Sequence, residues 1–185
     1  MNEYEGDAAV RLPFVKTGNQ GGRAMAAKIV DVKTELCPAA RFIGKRYLDM
    51  PNWGEWWENG WFDVLEQLPQ LEINDHAYLG AVRIVNGAPE RWIGMLFPAD
   101  TAVPEGFDFV DIEPMHYAVC FLYGSTESGE LFGLTPHNLC LEALKNRGFK
   151  RREDDWCIER CNCPRFTSPD ENGNVILDYL ISVEA

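Results

Sequence analysis

Basic residues are scarce in this chain: 17 Lys and Arg stand against 29 Asp and Glu, a formal net charge of −12 over 185 residues. That deficit argues against nucleic acid, whose phosphates need clustered cations, and against anionic membrane surfaces; it suits a cationic or neutral partner. No apolar run approaches the ~20 residues that cross a bilayer. The chain also starts without a signal peptide, so a soluble, cytoplasmic protein is expected. A phosphate-cradling glycine loop and a G-x-S-x-G elbow are both missing, which leaves nucleotide and serine-hydrolase readings without support. The six cysteines do not read as a disulfide framework, because the chain is not short and three of them fall on one stretch. They are expected to be reduced packing residues. Cys157, Cys161 and Cys163, even with His137 or His116, lack the spacing of a zinc knuckle. Neither a metal nor a cofactor is expected.

What is present is ordinary globular material, 46% hydrophobic and 25% charged, enough for one domain with a core or two small halves packed together. Residues 1–27 are acidic and glycine-bearing with one short apolar group, and read as an arm outside the main fold, residues 28–185. Lys28 to Lys33 starts a strand that Pro38 breaks or bulges and that Arg41 to Tyr47 continues. Asn52 caps a helix whose apolar face is Trp57, Trp61, Val64, Leu65 and Leu68, ended by Pro69. His76 to Ile84 and Arg91 to Phe97 flank an Asn86-Gly87 turn. After a loop with Pro98, Pro104 and Gly106, the order restarts. Phe107 to Ile112 and Met115 to Tyr123 are strands interrupted at Pro114, and Thr135-Pro136 opens a helix with Leu139, Cys140, Ala143 and Leu144 inward. A closing hairpin follows.

The chain therefore reads strand–helix–strand–strand twice, residues 28–98 and 107–185. Two such units predict an α+β fold with pseudo-twofold symmetry, helices on one face of an antiparallel sheet and a ligand cleft between the halves.

The closing hairpin holds the main chemical signal. Side chains alternate across a strand, so Cys157, Glu159, Cys161 and Cys163 share one face while Trp156, Ile158 and Arg160 share the other. A carboxylate among small, weakly polar side chains is costly to bury without a partner. Two readings stand: a ligand site, or a sheet carboxylate satisfied by Arg160, Arg91 or Lys45.

The order of elements, with Glu90 to Pro98, Pro104-Glu105-Gly106-Phe107, Tyr117-Ala118-Val119, Trp156 to Arg160 and Leu177 to Ile181, resembles the GyrI-like (gyrase-inhibitor-like) small-molecule-binding family. The same fold serves as the effector-binding domain of bacterial multidrug-responsive transcription regulators. The resemblance spans about Lys28 to Val183. It implies two related units with an aromatic-lined cleft between them and a carboxylate on the penultimate strand, at the position of Glu159. No helix-turn-helix precedes Lys28, so a stand-alone domain is expected, and the cysteines around Glu159 depart from the family pattern.

The expected function is sequestration of hydrophobic, cationic or polarised aromatic compounds. Glu159 would supply charge, and Trp92, Tyr117, Tyr179, Trp57, Trp61, Tyr123, Cys157 and Cys161 the lining. A hydrolase of electrophilic, cyclopropane-bearing compounds is the enzymatic alternative, with Glu159 activating water and Tyr117 or Tyr179 polarising the electrophile. The third is an acidic protein-interaction domain acting on a DNA-binding partner such as gyrase, with no direct contact to nucleic acid.

Overall fold

The computed structural model describes residues 26–74, 76–161 and 164–184. Most of the expected arm, and Cys163, lie outside the described residues. Eight strands form one sheet: β1 (Lys28–Cys37), β2 (Ala40–Tyr47), β3 (Tyr78–Val85), β4 (Ala88–Pro98), β5 (Asp108–Ile112), β6 (Met115–Gly124), β7 (Cys157–Cys161) and β8 (Val175–Val183). Their order across the sheet is β1-β6-β8-β7-β3-β4-β2-β5, with every neighbouring pair antiparallel. The helices are α1 (Trp53–Glu58), α2 (Trp61–Leu65) and α3 (Leu134–Asn146). The architecture is α+β, as expected from the order of elements.

Pro38 does not break one continuing strand; it separates two strands at opposite sides of the sheet. β1 is one edge and β2 is next to the other, yet only Pro38 and Ala39 join them. In a flat sheet these strands would lie six spacings apart, roughly 29 Å at ~4.8 Å each. The link reaches only about 11 Å fully extended. Glu113 and Pro114 join β5, the other edge, to β6 under the same constraint. The sheet must therefore curl until its two sides approach.

Its inner face holds a core of Cys37, Ala40, Phe42, Leu79, Ala81, Trp92, Leu96, Tyr117, Trp156, Ile158 and Leu180. The Phe42 and Trp156 rings stack at 6.0 Å and 1°. Within that face Gly44 sits directly opposite Gly94. A Cβ on Gly94 would meet the Ile43 carbonyl oxygen at 2.2 Å, and one on Gly44 the Ile93 oxygen at 2.1 Å. Backbone fills the position beside Trp92.

The outer face carries the helices. Asn52 caps α1 by accepting from the Gly54 N–H at 3.0 Å, but the helix does not run on to Pro69. Gly60 adopts φ +62 and splits it in two, so Trp53, Trp56, Phe62 and Leu65 are buried. The expected inward face is corrected accordingly: Trp57 is 52% exposed and Val64 is exposed. α3 buries Pro136, His137, Cys140 and Leu144. Among the described residues no helix is long and apolar enough to cross a membrane.

Candidate functional site

α3 packs on β1 and β6, whereas α2 packs on β4. Between them the outer face of β8, β7 and β3 forms a strip flanked by both helical layers. Register fixes which side chains share it. The central row from β6 to β4 is Cys120, Tyr179, Glu159, Gly80 and Ile93. The next row is Ala118, Ile181, Cys157, Val82 and Arg91, and on the other side Cys161 faces Tyr78.

Glu159 is 3% exposed, and neither carboxylate oxygen has a hydrogen-bond partner. Burial alone holds its carboxyl well above the usual carboxylate range. None of the partners offered by the sequence takes it. Arg160 points to the inner face, where it donates to Glu35 at 2.7 and 3.0 Å and to Asp178 at 3.1 Å. Asp178, fully buried, also accepts from Arg165 at 2.8 and 2.7 Å. Lys45 donates to the Gly106 carbonyl and lies over the Trp61 ring. Gly80, directly opposite Glu159 on β3, has no side chain to pack against it.

Tyr179 faces Glu159 from β8, and its hydroxyl lies 2.8 Å from His137 Nδ1 on α3. Burial pushes the Tyr179 phenol well above its ordinary range. Tyr78 stands on the α1–α2 side, its ring 3.9 Å from Phe62 and 5.2 Å from the exposed Trp57. Its hydroxyl donates to Glu66. Cys161 is half-buried beside it, and burial pushes the Cys157 thiol up to about 11. A thiol that stays protonated is a packing group, not a nucleophile. Among the described residues no cluster of His, Cys, Asp and Glu could hold a metal ion.

Of the residues expected around the site, Glu159, Tyr179, Cys157 and Cys161 share the strip, Trp57 reaches it through Tyr78, and Trp61 packs under α2 against Trp56. Trp92, Tyr117 and Tyr123 do not share the strip with Glu159: all three project from the inner face. Trp92 pairs with Ala81 and donates its indole N–H to Glu90 at 3.0 Å. Tyr117 is a core residue, and Tyr123 donates to Asp170 at 2.5 Å. Sequence reasoning missed Tyr78, and weighed His137 only as a metal ligand. Alternation in β3 marks Tyr78, Gly80 and Val82 as one face, but only the pairing with β7 brings that face to Glu159.

No protein-family model matches the chain, and no curated protein matches it either. Its fold does match solved structures. A protein from Staphylococcus aureus MU50 assigned to bacterial transcription regulation is 11% identical, with TM-score 0.62, over 84% of this chain and 99% of that one. SAV2435, solved bound to tetraphenylphosphonium, is 11% identical with TM-score 0.65 over 84% of this chain and 95% of that one. The C-terminal domain of EcmrR is 10% identical with TM-score 0.53 over 83% and 97%. The chain shares the fold of these three solved structures.

Proposed function

We propose that this chain is a small-molecule-binding domain that takes lipophilic aromatic cations in a cleft on the outer strip, at Glu159. The observation that carries the reading is a fully buried carboxyl without a hydrogen-bond partner, between two tyrosine-bearing strands. Such a group is a standing cost that a cation relieves. In the low-dielectric surroundings of the strip the ionised carboxylate attracts a cation far more than it would in water. Tyr78 and Trp57 add ring faces, each contributing about 0.5–2 kcal/mol to a cation over it. SAV2435, which shares the fold, is a protein solved with such a cation bound.

Tetraphenylphosphonium titration followed by tryptophan fluorescence tests it, with triphenylphosphine oxide as the neutral control. Saturable quenching is expected, with Glu159→Gln weakening the phosphonium at least tenfold and the oxide far less. Equal weakening of both compounds would remove the electrostatic role.

The Tyr179–His137 contact beside Glu159 supports a second reading, hydrolysis of a bound electrophile. Tyr179 would polarise it, and Glu159, once ionised, would take a proton from water. Recovery of intact cyclopropane-bearing compound after incubation with excess protein would leave binding alone.

A further inference from the structure

Glu159 is not the only unpartnered ionisable group on the strip. Arg91 follows Glu90 into β4, two residues before Ile93, so its side chain leaves the same outer face as Ile93, Met95 and Phe97. It is 8% exposed. Among the described residues its guanidinium takes part in no ion pair, hydrogen bond or ring contact, and its Nε is buried without a partner. Glu90, its chain neighbour, faces the other way and is engaged by Arg83, Arg46 and Trp92. Arg91 sits one row from Glu159, across Val82 and Cys157. Two strand spacings and a two-residue step put the two Cα atoms roughly 12 Å apart. The two do not pair with each other.

A second arginine, Arg151, stands one row further on, bridged to Val183 on β8. It is half-buried and reaches the Cys157 thiol, while its Nε is buried without a partner. Burying a guanidinium without an anion costs several kcal/mol. Arg91 is such a group at one end of the strip, while the unpaired acid occupies its middle. Nothing in packing requires that arrangement, since Val82 and Ile93 on the neighbouring positions show that apolar side chains fit there.

We infer that Arg91 forms an anion-recognition end to the Glu159 cleft, so that the preferred ligand is a zwitterion: an aromatic cation carrying a carboxylate or similar oxyanion on a short arm. This rests on the small-molecule reading above and narrows its ligand class. The planar guanidinium fork suits a carboxylate through two parallel hydrogen bonds. Because the site is desolvated, the match adds to affinity and also rejects the uncharged analogue.

Carboxyalkyl-triphenylphosphonium ions of increasing arm length, each beside its own methyl ester, test the inference by fluorescence titration of the whole chain. At the best arm length the acid should bind about tenfold or more tighter than its ester. Arg91→Gln should abolish that preference, with the cationic ester binding at least as tightly as to wild type because a buried like charge is gone. Arg91→Lys should keep part of the preference, and Glu159→Gln should weaken both compounds. A thermal melt separates site from scaffold: removing an unpaired buried charge should hold or raise Tm, whereas loss of a structural arginine would lower it. Acid and ester binding alike at every arm length would overturn the anion end while leaving the cation reading intact. A preference that survives Arg91→Gln would also overturn it, and failure of every phosphonium, acid or ester, would sink both readings together.

Discussion

Replacing Glu159 by Gln keeps the side chain's shape and removes its ionisation, so the difference in stability between the two proteins isolates one proton. In the unfolded chain a glutamate ionises near pH ~4.3. Folded, Glu159 is held well above that value by burial with no compensating partner. A folded pKa above the unfolded one means the native state keeps its proton longer. Its contribution is therefore complete below the unfolded pKa and is lost as pH rises toward the folded one. One proton gives a slope of about 1.4 kcal/mol per pH unit. Urea unfolding at unit steps from about pH 4 to about pH 8 measures it, because the other titrating groups cancel between the two proteins. Glu159→Gln should match wild type within about 1 kcal/mol at the acid end. It should then gain about 1.4 kcal/mol per unit and level off once the wild-type carboxyl ionises. A difference that stays flat over this range would mean a carboxyl that is unshifted or held low by a partner, and refutes the physical basis of the site.

The same linkage governs binding: while Glu159 is protonated, a cation must displace its proton. Tetraphenylphosphonium affinity should rise about tenfold per pH unit up to the raised pKa, with one proton released in calorimetry across buffers of different ionisation enthalpy; a pH-independent Kd without proton release would refute this. Asp178→Ala removes the buried carboxylate shared by Arg160 and Arg165 and leaves Arg160 to Glu35, and urea unfolding should show a loss of up to about 3–5 kcal/mol. Gly94→Ala drives a Cβ into the backbone of β2. It should cost at least about 1–3 kcal/mol, read as a fall in Tm.

Much of the fold was legible as local signals. The Asn86-Gly87 turn takes positive φ at both residues, 54 and 76, as its hairpin demands. Thr135-Pro136 opens α3 as read, and Gly148, at φ +78, lies just past its end. The order of strands was not legible, because Pro38 and Pro114 look like interruptions when each chain segment is taken alone. Only curling of the whole sheet lets two residues join strands six spacings apart. At the site, alternation placed Glu159, Cys157 and Cys161 together, a relation confined to one strand. Relating Trp92 to Glu159 needs register across β7, β3 and β4, and that register puts Ile93, not Trp92, on the strip. Trp57 and Trp61 failed as a helical face for a different reason: a single left-handed glycine, Gly60, resets the phase.

The two short proline links have a consequence for how this chain acquires its shape. β1 leaves the ribosome early but pairs with β6, translated about eighty or more residues later. β5 closes against β2 in the same long-range manner. Both edges of the sheet are thus completed by strands distant in sequence, and a chain built this way folds slowly, because loop entropy is lost before the pairing that compensates it. Until β6 emerges, β1 is an unpaired strand edge open to other chains, so nascent-chain aggregation, more than instability of the finished sheet, is the hazard this topology carries.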